Sequence, residues 1–559
     1  MTFKENSEVR GAKCRKGIQT VNQMAISRRT FLRGVASLGG LAALGAFLPG
    51  CGPAASELTP TPTSVKSQDL VIGSAVDVYT IDPAVGFDIA IASTLMGLYD
   101  TLFRHVGNPP EVMPWLAESY EVSGDAIEWT FKLVENAVFH DGSPVTASAI
   151  KYSAERLLRV GKGPASLFAG IMGAGSVSVL GDYELKVELL RPFAPFLDIL
   201  PWLFVVNPDV VEANSGEDEG QTWLTEHEAG SGPFTIAEWK PGELYRFKAI
   251  PDYWKGWPAE GHLESYVRKV IEDAATRMQA LEQGEVDIVD WASSDEQLRF
   301  KEMGFRIVEE PSMQFYDIKL NNQAGYTADI NVRKAISYAF DYQALQEIWA
   351  GRAALAGGPL PPTLEMTPED LEVYRLDLEK AKAELAKSPW PDGDFDLDFV
   401  YVSGLEEERR TGEIIRDQLA ELNVRVNVIP MAWADAVSTF EDPKMSPAMF
   451  PLYASTAFPD PDNYLWSAYH SSQAGAWTNP GHYKNPEMDA LLEEARATAD
   501  QAERGKLYRQ AQKLAVGDAV NIFGVSAPDF HIYSPDVKGL DYCPVMGSEE
   551  DFYWLRLES

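Results

Sequence analysis

A chain of 559 residues is longer than one compact core serves and points to two or three domains. Its 45% apolar and 23% charged content is ordinary for a globular protein, and a formal charge of −35 excludes nucleic acid, whose phosphates would be repelled. Three cysteines, none in a CxxC pair, exclude a disulfide framework. There is no GxSxG, HExxH or GxxxxGK(S/T) pattern, and the seven histidines (105, 140, 227, 262, 470, 482 and 531) lack metal-ligand spacing. No catalytic residue, metal or cofactor is expected. His140 beside Asp141 suggests an acid–base pair, but the two sit in a turn and read as structural. Asp460 and Asp462 suggest a glycosidase carboxylate pair; with Pro461 between them they read as a loop cap and a ligand contact.

From the start of the chain, Ser27-Arg28-Arg29-Thr30-Phe31-Leu32-Arg33 is similar to the twin-arginine export motif, with Arg28 and Arg29 as its defining pair. Gly34 to Leu48 is an apolar run of small residues, shorter than the about 20 residues a spanning helix needs. It ends in Leu48-Pro49-Gly50-Cys51, which resembles a lipobox, so residues 1–50 read as a signal and Cys51 as the lipidated residue. Met24 stands three residues ahead of the export motif, and residues 1–23, with Cys14, read as the product of an upstream start codon. Residues 51–68, rich in Pro, Thr and Ser, read as an extended tether.

The body opens with a strand at Leu70–Gly73, a loop through Asp77 to Pro83, and a helix over Ala90–Leu102 with Ile91, Leu95, Leu98 and Leu102 on one stripe. Next comes an alternating strand: Ile127, Trp129, Phe131 and Leu133 face one way, Glu128, Thr130 and Lys132 the other. A turn at His140–Pro144 follows, and Thr146 is placed to cap a helix carrying Ile150, Ala154, Leu157 and Leu158; Ala149 at its third position leaves no capping box. A second alternating strand spans Tyr183–Leu189, and the acidic run 214–220 reads as a solvated loop. Pro241-Gly242 marks a hairpin turn, and Asp252-Tyr253-Trp254 reads as packing. A helix from Ile271 to Gly284 and a strand at Val286–Val289 give a β-α-β rhythm. Two helices follow Asp329, the second capped by Asp341. Phe395, Leu397, Phe399 and Tyr401 alternate, a helix covers 406–422, and Val424, Val426 and Val428 alternate again, which implies parallel neighbours with a right-handed crossover. Asn485-Pro486-Glu487 opens another helix, and Asp500-x-x-Glu503 forms a capping box ahead of the last one.

Several stretches carry a family resemblance. AES with FHDGSPVTASAI in residues 117–150, GSGPF at 230–234, EWKPGELYRFKAIPDYWKG at 238–256, DINVRKAISYAFD at 329–341, GGPLPP at 357–362, DPDNY at 460–464 and NPEMDALL at 485–492 appear in order. Together they resemble the family 5 extracellular solute-binding proteins of ABC importers, the peptide and nickel receptors, over roughly residues 68–545. The resemblance implies an α/β fold, the periplasmic-binding-protein type II fold in its large three-domain subclass, with two lobes and a hinge. Lobe I would comprise 69–105, 225–322 and 526–559, an inserted signature domain 106–224, and lobe II 323–525. It implies a monomeric, non-enzymatic receptor that takes a peptide or other small solute and docks on a membrane permease. It also implies a cleft reached by Asp77, Val78 and Tyr79, bordered by Trp291, Trp433, Tyr453 and Trp477, and lined by Ser455, Thr456, Phe458 and Asp460. Peptide-binding members place an Asp three residues before the acid of that last loop, to hold the ligand's amino group; here Ala457 stands there, with Asp460 or Asp77 as possible substitutes. The Arg that dipeptide binders carry after the 395–401 strand is missing from Tyr401–Gly404, though Arg409 and Arg410 follow. Other readings that remain are an oligosaccharide or opine-like solute, an exported hydrolase, and a tethered sensor.

Overall fold

Three sheets organise the chain in a computed structural model, which describes residues 69–559 apart from 259, 260, 311, 365, 367, 369, 499 and 559. Arg28, Arg29, Cys51, Cys14 and the tether therefore lie outside the described residues. The first sheet has seven strands in the order Arg306–Ile307, Ile532–Tyr533, Ile288–Val289, Leu70–Ser74, Ser265–Val270, Leu244–Ala249 and Phe234–Lys240. Leu70–Ser74 is parallel to both neighbours and buried along almost its whole length, which is why it reads as an uninterrupted apolar run. The hairpin expected at Pro241-Gly242 joins the last two strands, with Gly242 at φ +74°. The helix expected from Ile271 starts at Ala274, because Asp273 takes the N-cap and accepts from the Thr276 amide.

The second sheet has six strands: Ala354–Leu355, Asn521–Ser526, Phe315–Leu320, Met449–Ala454, Phe395–Val402 and Val424–Met431. The last two are parallel and joined by the helix Glu406–Leu419, which a 3₁₀ turn extends to Leu422. Phe315–Leu320 is buried at all six positions between two antiparallel neighbours. The chain has thus entered the second sheet by Phe315, just ahead of the Tyr316–Gln323 stretch where the crossing is expected.

The third sheet is antiparallel: Ala117–Val122, Glu128–Leu133, Glu184–Glu188 and Val177–Gly181. Trp129, Phe131 and Leu133 are buried and Glu128 and Lys132 exposed, as the alternation requires. Thr146 occupies the N-cap of the helix Ala147–Val160, but its side chain makes no capping bond. The first helical amide is satisfied from outside, the Ala147 N–H donating to the Asp182 carbonyl at 2.8 Å. Asn485 and Asp341 cap their helices as read; Asp500 accepts from the Glu503 amide, which is one half of the capping box expected there, and Ser293 with Glu296 forms a full capping box that patterning passed over.

Two buried carboxylates knit these parts together. Asp82, in the turn after the first strand, takes both ends of the Arg156 fork at 2.7 Å, with neither side chain exposed. Asp100 accepts from Trp115 Nε1 and Tyr253 Oη at 2.7 Å, Trp254 Nε1 at 2.8 Å and Ser231 Oγ at 3.0 Å, with Arg104 at 3.4 Å. Tyr253 and Trp254 are thus packing residues. The GSGPF stretch is explained by approach: a Cβ on Gly230 would sit 1.9 Å from the Leu98 carbonyl oxygen. Cys543 is a buried free thiol.

Candidate functional site

Strand directions fix where a site can be. In the first sheet the parallel strands 70–74, 265–270 and 288–289 end at one edge, and 532–533, antiparallel to 288–289, begins there. In the second sheet 395–402, 424–431 and 449–454 end at one edge, where 315–320 begins and 521–526 ends. Both crossings between the sheets, after Ile307 and after Ser526, therefore run from one carboxyl edge to the other. They are tied together: Ser312 Oγ donates to the Ala527 carbonyl, Ser526 Oγ to the Ser312 carbonyl, and the Ala527 amide to the Gln314 carbonyl at 2.9 Å. The carboxyl edges of open α/β sheets are where such folds bind ligands.

On the first edge, Tyr79 follows strand 70–74 and Trp291 follows strand 288–289. They are 57% and 42% exposed, far more than most large rings here. Trp291 has φ +51°, a left-handed conformation that costs a bulky residue about 1–2 kcal/mol. Buried Arg277 holds it there, donating from Nε to the Asp290 carbonyl at 3.1 Å and from Nη2 to the Trp291 carbonyl at 3.4 Å. The indole stacks on Phe530, 4.4 Å between centroids and 6° from parallel. Asp290 stitches the two strand ends, accepting from Ser74 Oγ and the Ala75 amide, each at 2.7 Å.

On the second edge, Trp433 follows strand 424–431 and meets Trp477 edge to face at 6.2 Å; they are 41% and 46% exposed. Tyr453, at the end of strand 449–454, packs on Tyr316 at 4.7 Å, and Ser455 is half-buried beside it. Glu408 lies under this edge, its Oε2 accepting from the Val402 amide at 2.8 Å, and burial pushes its carboxyl up to about 8. Arg409, next along, is held by Glu406 and Glu413, so it is not directed at the edge as a free cation.

The structure does not gather all the expected contacts. Val78 is buried. Asp77 accepts from the Tyr245 hydroxyl and its neighbour's amide. Thr456 is buried with its hydroxyl on the Met313 carbonyl, and Phe458 is in the core of the first lobe. Asp460, 5% exposed, caps the helix Pro461–Tyr469 and takes both ends of the Arg504 fork at 2.6 Å. Its lone pairs are already engaged, so it faces inward and not toward the edge. Ala457 is buried too, its carbonyl accepting from Trp202 Nε1 at 2.6 Å. His140 pairs with Glu228 at 2.8 Å, not with Asp141; burial lowers its pKa, but Glu228 more than offsets that and leaves it raised. Phe530, His531, Glu550 and Glu408 were missed by sequence reasoning. They carry no periodic or motif signal, and the first three reach the site from the far end of the chain.

Two mixed sheets with carboxyl edges facing one doubled crossing, each rimmed by exposed aromatics, define a two-lobed solute-binding protein of the type II periplasmic-binding fold. The chain belongs to the bacterial extracellular solute-binding proteins, family 5, whose middle-region model matches residues 111–476. It is 30% identical over 504 residues to a probable D,D-dipeptide-binding periplasmic protein of Escherichia coli, covering 86% of this chain and 93% of that one. It is 28% identical to heme-binding protein A of Haemophilus influenzae, over 80% of this chain and 85% of that one. Its structure matches the Helicobacter pylori periplasmic binding protein DppA, solved with the peptide STSA, at a TM-score of 0.75 and 25% identity, over 88% of this chain and 98% of that one. Family membership places the protein among transport binding proteins and not enzymes. Among the described residues no helix is long and apolar enough to cross a membrane, and no group of His, Cys, Asp and Glu is arranged to hold a metal ion.

Proposed function

We propose that this chain captures a peptide or peptide-like solute between its lobes and delivers it to an ABC permease, as a monomer anchored by lipid on Cys51 at the outer face of the cell membrane or facing the periplasm. The observation that carries this is the set of exposed rings, Tyr79, Trp291, Trp433 and Trp477, at the two carboxyl edges that share one crossing. Flat aromatic faces that sit outside the core, on elements free to approach each other, suit a peptide's side chains and backbone. The dipeptide and peptide named for two relatives support that class. A ligand that touches both edges binds the closed arrangement better than the open one and shifts the population toward it.

Small-angle scattering tests the capture. The protein as purified, carrying its co-purified solute, should have a smaller radius of gyration than the same protein stripped by unfolding and refolding. Identical profiles, with native mass spectrometry showing that solute bound, would mean a rigid preformed site. The anchor is tested separately: Cys51→Ala should move the protein from the membrane fraction to the soluble exported fraction, and a variant retained in the membrane would contradict lipidation there.

A further inference from the structure

A third contact, apart from the two crossings, joins the lobes. After the third sheet the chain runs through an arm, residues 191–204, with a short helix at Phe196–Ile199 and a 3₁₀ turn at Leu200–Trp202. The loop that leaves strand 449–454 of the second sheet lies on this arm. Trp202 Nε1 donates to the Ala457 carbonyl at 2.6 Å and the Ala194 amide to the Arg496 carbonyl at 3.0 Å. The Met546 amide, from the last segment of the first lobe, donates to the Thr456 carbonyl at 2.9 Å. Ala457 and Phe458 are buried in the core of the first lobe. Trp202 also meets Phe87 edge to face at 4.7 Å. Phe87 stands in the loop that carries Tyr79, and the docked loop continues from Tyr453, so the contact adjoins both carboxyl edges.

The contact is built to part. The bonds that cross it end on backbone carbonyls, which water satisfies equally well once the two sides separate. The acids of the docked side are paired on that side: Asp460 with Arg504, and Asp462 with both ends of the Arg496 fork at 2.6 and 2.7 Å. Separation therefore strands no buried ion. What faces across is like charge. Asp198 of the arm lies toward Asp460, and burial and then that charge raise its carboxyl to about 7, against the pull of Arg504. Arg191 and Arg496 share the ring of Trp466, 5.7 and 3.4 Å from its centroid. Burial and then Arg496 lower the pKa of Arg191, against Asp462 and Glu493. Apolar burial favours the joined state and like charge opposes it, which leaves the balance to a modest further term.

We propose that the arm 191–204 is the seat of a latch: the loop Thr456–Phe458 docks on it when a solute draws the two carboxyl edges together, and leaves it when the lobes open. The inference rests on the solute-capture reading above. It gives the segment inserted in the first lobe a task in closure, with the Trp202 indole as the catch on Ala457. A solute that touches both edges supplies the differential affinity that seats the loop.

Hydrogen exchange read by mass spectrometry tests the latch on the amides of Ala194 and Met546. Both should exchange more slowly in the protein as purified, carrying its co-purified solute, than in the protein stripped by unfolding and refolding. Trp202→Phe keeps a ring and removes the donor, which leaves the Ala457 carbonyl unsatisfied only in the docked state. Calorimetry with a tripeptide library should show this variant binding about tenfold more weakly than wild type. Asp198→Asn, measured at about pH 8, removes the charge that faces Asp460 and should bind a few-fold more tightly, a gain that misfolding cannot produce. Equal protection of both amides in loaded and stripped protein would show a fixed strap and overturn the latch while solute capture stands. Affinities unchanged in both variants would overturn it as well. A protein that carries no solute as purified and binds no library member overturns the capture reading, and the latch falls with it.

Discussion

Asp100→Ala is expected to lower stability by about 5 kcal/mol or more, read as a shift in the denaturant midpoint. Trp115 Nε1, Tyr253 Oη, Trp254 Nε1 and Ser231 Oγ converge on this carboxylate with Arg104; Arg104 keeps Asp551 and the Met96 carbonyl and Trp115 keeps the Tyr253 hydroxyl at 3.2 Å, but Tyr253, Trp254 and Ser231 would be stranded at once. Each unsatisfied buried donor costs about 1–3 kcal/mol, and losses above about 4–5 kcal/mol are uncommon for one substitution. Asp100→Asn should fare little better, because its amide group would point a donor at donors. A loss under about 2 kcal/mol for the alanine variant would show that water enters and takes over the acceptor role.

Arg504→Met carries the second large effect and a pH signature. Arg504 holds Asp460 through two bonds of 2.6 Å, and removing one member of a buried pair costs about 3–5 kcal/mol. Asp198 lies across from them; burial and then the Asp460 charge raise its carboxyl to about 7, against the pull of Arg504. A carboxyl raised on folding binds its proton more tightly in the native state. Its contribution is complete below the unfolded value near pH 4 and disappears as pH rises through about 7. Without Arg504, the pull that holds the Asp198 carboxyl down is gone while the Asp460 charge beside it remains, so the protonated form of Asp198 is favoured further. The stability deficit of the variant should therefore be larger at about pH 8 than at about pH 5. A deficit that stays the same at both would mean that water, and not the guanidinium, neutralises Asp460. The loop from Thr456 to Phe458 stays seated in the variant, held by the Trp202–Ala457 bond and by the Met546 amide on the Thr456 carbonyl at 2.9 Å.

Much of the fold was legible because it is local. Alternation at Trp129–Leu133, the strand–helix–strand from Phe395 to Val428 and the caps at Asn485, Asp500 and Asp341 depend on neighbours a few residues away, and periodicity reports those directly. Thr146 shows the limit: its position was legible, but not that its side chain would make no capping bond. The end of the crossing between the sheets was legible only to within a few residues for a related reason. Phe315–Leu320, FYDIKL, does not announce that it will be buried on both faces, because that depends on strands more than 120 residues downstream. At the site, exposed rings could be named but not sorted. Trp291 and Val78 come from equally suggestive segments, yet one is 42% exposed and the other 1%. Asp460 read as a ligand contact because nothing in its loop reveals Arg504. Glu550 had no signal, since a buried acid near the end of the chain becomes legible only once its neighbours Arg268 and His531 are known.

The first sheet has a consequence for how the chain is made. Its strand Leu70–Ser74 is nearly the first element, and Ile532–Tyr533, wedged between Ile288–Val289 and Arg306–Ile307, is nearly the last. During synthesis the second sheet, with strands from Phe315 to Ser526, is complete while the first still lacks a central strand. Loop closure from Ile307 to Ile532, across more than 200 residues, is slow, and until it happens the edges of 288–289 and 306–307 stay open to wrong pairing. This protein would be poorly served by crossing a membrane as an emerging thread, and well served by finishing its fold beforehand or by a chaperone that shields those two edges.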